Sequence, residues 1–430
     1  MIKADLIIRN GYILDFEKNG DEFLKQDIVI NSGKIVFIGK ATSYVASKEI
    51  DANEKIVMPG FVDTHTHIGM SYFKGIADDL PLMDWLQNHI WPLESNFLNP
   101  EFVYDASLFG CAELIKNGIT HFNDMYFFED QTAKAAKKIG IRATLGEGIL
   151  DHNADKSIQI TRDLYYQYKD DNLIDISVAP HAIYTCNREN LIKARDLAIE
   201  LGLKIHIHLN ESEFEVKESM RNFGKKPVEY LDEFDFFQVP TISAHSLWLD
   251  ENEQKIFSKK NVTASINASS NYKLANGINS FKNYLKNGVN LSFGTDSVAS
   301  NNNLSMLSEI NIFSKVQKAL IHDSTFLPAK EVLKMATVNG ANVLDNHFNS
   351  AKLEIGNNAD IITVDVDNIQ SQPLYNMFSQ LVYSIESEQI KDVIIDGKTI
   401  MINRKLVNVD ESELLKKAKY WREKITFYQK

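Results

Sequence analysis

The stretch Pro59-Gly60-Phe61-Val62-Asp63-Thr64-His65-Thr66-His67 places two imidazoles two residues apart at the end of a run of strand-forming side chains. On a strand, residues two apart share a face, so His65 and His67 point the same way. At the C-terminal mouth of a parallel barrel that direction is inward, toward the place where barrel enzymes keep their sites. Two converging imidazoles can chelate one divalent cation. Alone, a His-x-His pair on a surface strand is an equally good account, and the rest of the chain has to decide.

Eight short segments rich in β-branched residues, the one leading into this stretch included, succeed one another: 56–62, 119–122, 143–145, 174–179, 204–209, 241–244, 262–266 and 290–293. Stretches with apolar residues at helical spacing lie between them, among them 101–116, 130–139, 157–168, 188–201 and 281–286. Strand and helix alternating in this way over about 240 residues is the pattern of a (β/α)8 TIM-type barrel, whereas an open doubly wound sheet needs fewer strands. Before the barrel, residues 1–56 show short strands broken by Asn10-Gly11, Asn19-Gly20 and Asn31-Ser32-Gly33, read as turns. After it, 359–365, 390–396 and 399–402 are strand-like, and 411–428 forms an amphipathic helix with Leu414, Leu415, Ala418, Trp421 and Ile425 on one side. The expected fold is therefore α/β. A barrel spans 57–350, and a small β-sandwich domain with a C-terminal helix is built jointly from 1–56 and 351–430, whose strands would otherwise leave open edges.

The 430 residues carry 46 Lys+Arg against 58 Asp+Glu, a net charge of −12, which argues against nucleic-acid and anionic-membrane partners. Only two cysteines occur, Cys111 and Cys186, in no metal-binding spacing. That excludes disulfide scaffolds, zinc ribbons and the cysteine-ligated type of nucleobase deaminase. No charged-then-apolar leader opens the chain, and no run approaches the ~18–20 apolar residues of a membrane span, so cytoplasm is the expected address.

A second histidine pair stands at the fifth strand, Lys204-Ile205-His206-Ile207-His208-Leu209-Asn210-Glu211. His208, nearer the strand end, is the better ligand candidate, and His206 reads as a packed core histidine one layer deeper. Glu211 falls in the loop above, where a carboxylate can hand protons to a substrate. His181, His245 and Asp296 come after the fourth, sixth and eighth strands, so one mouth collects them all. His89, His121, His152, His322 and His347 lack such context and read as structural. Tyr72, Phe73, Met83, Trp85 and Trp91 suggest an apolar lid.

With these motifs the chain resembles the amidohydrolase superfamily, in the branch of adenosine-type and triazine-type aminohydrolases, and looks like the deaminases of 5'-methylthioadenosine and S-adenosylhomocysteine. The resemblance also rests on Trp91-Pro92-Leu93-Glu94, Pro180-His181-Ala182-Ile183-Tyr184-Thr185-Cys186, Ala244-His245-Ser246-Leu247-Trp248-Leu249, Gly294-Thr295-Asp296-Ser297-Val298-Ala299-Ser300-Asn301-Asn302 and Ala336-Thr337-Val338-Asn339-Gly340-Ala341. It implies metal-dependent hydrolytic deamination of a small-molecule nucleoside at C6 by metal-activated hydroxide, with guanine, cytosine or a triazine as alternative substrates on the same scaffold. His65, His67, His208 and Asp296 are the implied ligands of one divalent ion. Zinc is the first choice, and iron, manganese, cobalt or nickel fit the same donors. Glu211 is the implied acid, His245 with Asp296 the implied base, and Glu94, His181 and Trp91 implied substrate contacts. Relatives are commonly dimers, so a homodimer or higher homo-oligomer is implied by analogy.

The pattern departs from the family in two places. After the seventh strand, Ser265-Ile266-Asn267-Ala268-Ser269-Ser270-Asn271 lacks the histidine and proline of the usual Ser-His-Asn-Pro-x-Ser-Asn. After the third, Glu147 in Gly146-Glu147-Gly148 stands where an arginine often grips the homocysteine carboxylate. A glutamate repels a carboxylate, so a short neutral tail (methylthio, deoxy or hydroxyl) is expected in preference to homocysteine.

Overall fold

The computed structural model of the chain describes residues 1–344, 350 and 352–428, so His347 lies outside the described residues. The first five strands are β1 (Ile2–Ile13), β2 (Lys25–Asn31), β3 (Lys34–Gly39), β4 (Tyr44–Asp51) and β5 (Lys55–Pro59). Eight more, β6 (Phe61–Thr66), β7 (Ile119–Tyr126), β8 (Arg142–Ile149), β9 (Ile174–Pro180), β10 (Lys204–Leu209), β11 (Thr241–His245), β12 (Val262–Ile266) and β13 (Asn290–Phe293), form one sheet in sequential order. All its neighbours are parallel, with helices between them, which is the expected (β/α)8 barrel. The last four, β14 (Ile361–Asp365), β15 (Ile390–Ile395), β16 (Lys398–Ile402) and β17 (Lys405–Leu406), return to the first sheet.

That sheet has nine strands, and β5 pairs antiparallel with β14, joining the two terminal segments. Leu6, Ile28, Ile50, Val57, Ile361 and Ile394 meet in one buried apolar cluster drawn from strands across the sheet. No helix among the described residues is long and apolar enough to cross a membrane.

Several local expectations need correction. The stretch 56–62 is divided: β5 belongs to the small sheet and β6 opens the barrel. Thr120 packs against Gly60 so closely that a Cβ there would lie 2.2 Å from it, and the chain changes sheets at that residue. Asn10-Gly11 is not a hairpin turn, because β1 runs through it with a bulge between Ile8 and Gly11. Asn10 takes φ 60°, and a Cβ on Gly11 would come within 2.3 Å of Val57, so glycine admits the neighbouring strand. The C-terminal helix Glu411–Tyr428 buries Leu414, Trp421 and Ile425 but leaves Leu415 exposed. It lies on the barrel, where Trp421 Nε1 donates to Asp105 at 2.9 Å and its ring meets Phe102 edge-on.

Arg142, at the start of β8, ties the barrel floor to the small sheet. Its side chain is fully buried and donates to both oxygens of Asp360, at 2.5 and 3.1 Å, and to Asp396 at 3.4 Å. Removing one partner of a buried pair leaves an uncompensated charge, a loss of about 3–5 kcal/mol. Arg142→Leu is therefore expected to lower the unfolding free energy by that amount, measured by denaturant titration with circular dichroism, and an unchanged value would show that the ion pair is dispensable.

Candidate active site

The mouth of the barrel is formed by the C-terminal ends of its strands. His65 and His67 come from the end of β6, His208 from the end of β10, His245 from the end of β11, and Asp296 from the turn after β13. His65 Nε2 and His67 Nε2 lie 3.3 and 3.4 Å from Asp296 Oδ1, and His208 Nε2 lies 3.2 Å from His67 Nε2. Two overlapping sets can hold a cation: His65, His67 and Asp296, and His65, His208 and His245.

Backbone carbonyls decide which ring nitrogen faces this centre. A carbonyl only accepts, so the nitrogen beside it carries the proton and the opposite nitrogen keeps its lone pair. His67 Nδ1 lies 2.6 Å from the Met125 carbonyl, and His208 Nδ1 lies 2.9 Å from that of His181. In its neutral form each ring therefore presents an unprotonated Nε2 to the centre. His65 Nε2 is buried with no hydrogen-bond partner in the protein. Three imidazole nitrogens and one carboxylate form a donor set suited to a divalent ion, and the orphaned His65 nitrogen is the atom such an ion would satisfy.

Electrostatics separate the two carboxylates at the mouth. Burial raises the Glu211 carboxyl, and Asp296 nearby adds to it, while His245 and a hydrogen bond from Asn276 at 2.9 Å oppose it. Burial would likewise raise Asp296, but the His65 and His67 rings beside it outweigh that and hold it well below the ordinary range. Burial lowers His65 to about 3 and His181 to about 4. In His67 burial is overcome by Asp296, and the ring is raised to about 9. Glu211 Oε1 stands 3.8 Å from His245 Nε2.

Buried amides and a carboxyl behind the mouth hold these side chains. The Asn271 side-chain oxygen lies 3.0 Å from His245 Nδ1, and that of Asn267 accepts from His245 N–H at 3.1 Å. The altered loop after β12 thus grips His245 without the family's histidine and proline. Glu215 accepts from the backbone N–H groups of Asn210 and Glu211, at 3.1 and 2.8 Å, and props the turn that carries Glu211.

A cavity of about 1040 Å³ opens over the centre, bordered by His67, His208, Glu211, His245 and Asp296. Glu94, Trp91, His181 and Glu147 border it as well. Glu94 accepts from Tyr126 Oη at 2.7 Å, and burial pushes its carboxyl up to about 7. Of the residues expected as a lid, Trp85 and Trp91 border the cavity, but Tyr72, Phe73 and Met83 do not. Tyr72, edge-on, and Phe73, tilted, pack instead against Phe102 of the helix Pro100–Lys116. The Trp85 indole Nε1 is buried without a hydrogen-bond partner in the protein.

Glu147, expected to repel a tail carboxylate, is buried. One oxygen accepts from the backbone N–H of Glu129, at the start of the helix Glu129–Ile139, and burial pushes its carboxyl up to about 7. His152, read from sequence as structural, borders the cavity with Lys156 and Ile160 of the helix Ala154–Tyr168. Tyr126, Asn271, Asn276 and Glu215 escaped sequence reasoning, since only the fold brings them to the residues they hold. The paired asparagines in 265–271 were the one signal the chain offered.

Residues 56–400 match the amidohydrolase family. A 5-methylthioadenosine/S-adenosylhomocysteine deaminase of Thermodesulfovibrio yellowstonii is 41% identical over 432 residues, which cover 97% of this chain and 98% of that protein. A 5'-deoxyadenosine deaminase of Methanococcoides burtonii is 40% identical, over 97% of this chain and 96% of that one. The crystal structure of an adenosine deaminase from Xanthomonas campestris with bound zinc superposes with a TM-score of 0.95, at 34% identity and 99% coverage of each chain.

Zinc ions added to the metal-stripped protein are expected to raise its unfolding midpoint, by about 2.7 kcal/mol of stability when free ion reaches a hundred times the dissociation constant. In His67→Leu and His208→Leu the shift should collapse. An undiminished shift in both would place the ion elsewhere.

Proposed function

The chain belongs to the amidohydrolase family, and from that membership we propose that it is a metal-dependent hydrolytic deaminase of adenosine-type nucleosides, converting them to the inosine derivative and ammonia. 5'-Methylthioadenosine, 5'-deoxyadenosine, adenosine and S-adenosylhomocysteine are the candidate substrates. One observation carries the chemistry: Glu211 and Asp296 face the same centre with their carboxyl pKa values pushed in opposite directions. Paired groups displaced in this way divide into acid and base.

His65, His67 and His208 through Nε2, and Asp296 through its carboxylate, would hold a single divalent ion, proposed as zinc from the donor set and the zinc-bound relative. A bound ion of this kind supplies Lewis acidity, lowering the pKa of water from 15.7 to about 7. Glu211, whose carboxyl burial raises, is placed to hand a proton to N1, and the ring accepts the electrons of the incoming oxygen. His245, with Nδ1 fixed by Asn271, offers Nε2 to orient the attacking water and, with Asp296, to take its proton. Water oxygen bonds to C6, the C6–N bond breaks once the amino group has gained a proton from the same pair, and the proton left on the C6 oxygen returns to Glu211 as the carbonyl forms. The products are the keto purine and ammonia.

Around this centre Glu94, oriented by Tyr126, is placed to accept from ribose hydroxyls, and the unpartnered Trp85 indole to donate to a purine or ribose acceptor. His181 and Trp91 complete the proposed substrate contacts. At the cavity wall Glu147 still disfavours a tail carboxylate, but with a charge that varies around neutrality.

Ammonia release should be found with the adenosine derivatives and not with guanine, and release from guanine alone would reject the nucleoside assignment. Glu211→Gln is expected to lower kcat by about 10²–10⁴-fold with zinc content unchanged, the usual contribution of a positioned acid. Because Glu211 acts in its protonated form, kcat should fall as pH rises through its elevated pKa, and a profile flat on the alkaline side would remove it as the acid. Glu147 gains charge above about pH 7, so the preference for methylthioadenosine over S-adenosylhomocysteine in kcat/KM should grow with pH. In Glu147→Gln that growth should be absent.

A further inference from the structure

Asn267 begins the short helix Ala268–Lys273, since its carbonyl accepts the first helical bond, from Asn271 N–H at 3.0 Å. A residue in that place ordinarily turns its side-chain oxygen back onto the N–H of the second or third helical residue, and asparagine is among the best at doing so. Here the side chain makes no such bond. Its oxygen accepts instead from the backbone N–H of His245, at 3.1 Å, where β11 ends with a left-handed φ of 67°. The Ser269 N–H, which Asn267 would ordinarily cap, therefore needs an acceptor from elsewhere.

Glu309 supplies it from a different element. This residue stands in the first turn of the helix Met306–Ile321, wholly buried, and its Oε2 accepts from Ser269 N–H at 3.0 Å. Its Oε1 accepts from Asn301 Nδ2 at 2.9 Å, and the same amide nitrogen donates to the Thr295 carbonyl at 2.7 Å. Both carboxylate oxygens are thus held, so the group stays on the helix end. If Glu309 were lost, the Ser269 N–H would be left unsatisfied, and Asn267 is the residue whose side chain caps such a position from within the sequence. Its return to that task would release the backbone of His245, whose ring rests through Nδ1 on Asn271 of the same short helix.

We propose that Glu309 is a positioning residue which, by capping the helix Ala268–Lys273 from outside, frees Asn267 to hold the backbone of His245. Glu309 does not border the cavity, and it acts only through the residues between. The inference rests on the role proposed for His245, and the two can fail separately.

The test compares the full-length native chain with Glu309→Gln, Asn267→Ala, the two combined, and His245→Gln, all loaded with zinc. Glutamine keeps the shape of Glu309 but sets an N–H group against one of its two donors. Glu309→Gln is expected to lower kcat for methylthioadenosine by about 10–100-fold, the scale of a small misplacement, with KM and zinc content near native. Asn267→Ala should do the same. The combined variant should lose little beyond either alone, whereas independent effects would multiply. In ¹⁵N-histidine-labelled protein the His245 amide, identified by its absence from His245→Gln, should exchange with solvent about tenfold faster in Glu309→Gln, as for one lost hydrogen bond. The amides of His121 and His206, buried deeper in the barrel, should keep their native rates. An unchanged His245 exchange rate, multiplying losses of kcat, or loss of zinc from Glu309→Gln would overturn this proposal alone, provided His245→Gln is impaired. Full activity in His245→Gln would overturn the role proposed for His245, and the amide exchange then decides whether Glu309 holds its backbone. Should Glu309→Gln fail to fold, Glu309→Asp, which keeps both acceptors but draws them back from Ser269, is read in the same way.

Discussion

The hydrogen bond from Asp296 N–H to the carbonyl oxygen of His65, 2.9 Å long, lies on the seam where the barrel's first strand meets its last. Just below it Asp63 accepts from Thr295 N–H and Oγ1, at 3.0 and 2.6 Å, and from the backbone N–H of His65 at 3.2 Å. Thr64 Oγ1 reaches across to Ser292 and to the Phe293 carbonyl. His65 and Asp296, two of the four proposed ligands, therefore stand on either side of one closure, and their separation is set by backbone and buried side chains. A site built across a seam exists only when the cylinder is complete. The cost is visible in Asp63, a fully buried carboxyl that burial pushes up to about 7 although three donors oppose it.

Closure brings the strand ends together, but aiming their side chains takes further conformational work. Asn210, His245 and Asp296, at the ends of β10 and β11 and after β13, take φ of 53°, 67° and 61°. Each left-handed residue that is not glycine costs roughly 1–2 kcal/mol, and such outliers gather where surrounding contacts over-determine them. Here those contacts are Glu215 beneath Asn210, the two asparagines holding His245, and the seam beneath Asp296. The sharp turns bring the side chains back over the mouth instead of letting them continue along the strand into solvent.

Periodicity and chain position were enough to pick out the proposed metal-binding half of the site. His65, His67 and His208 belong to two-residue repeats at strand ends, and Glu211 trails His208 by three, so the face and the height of each side chain could be read directly. Features that depend on which distant residue arrives beside them stayed hidden. The break at Gly60 is visible only once Thr120 packs against it, and Asn10-Gly11 becomes a bulge only because Val57 crosses there. Tyr72 and Phe73 have the composition of a lid, yet the helix Pro100–Lys116 claims them. His206 shows the same limit most clearly, since the two-residue spacing that promoted His208 gave no hint that His65, 141 residues earlier, would rest on it.

Chemistry and selectivity are supported by different parts of this molecule. The residues proposed to act on the purine ring sit at strand ends, tied by backbone carbonyls and buried amides that leave little freedom to vary. The cavity wall beyond them draws on 82–98, 126–130 and 147–167, which are mostly helices and connections outside the barrel sheet, joined by the last residues of β7 and β8. Substitutions in that wall change what fits without disturbing the seam or the tautomers, which is how one scaffold supports many substrates. The partly neutral Glu147 belongs to this outer layer. It is anchored by the start of a helix and not by the proposed ligands, so the wall of the proposed tail pocket can change its charge while the centre proposed to break the C–N bond keeps its own.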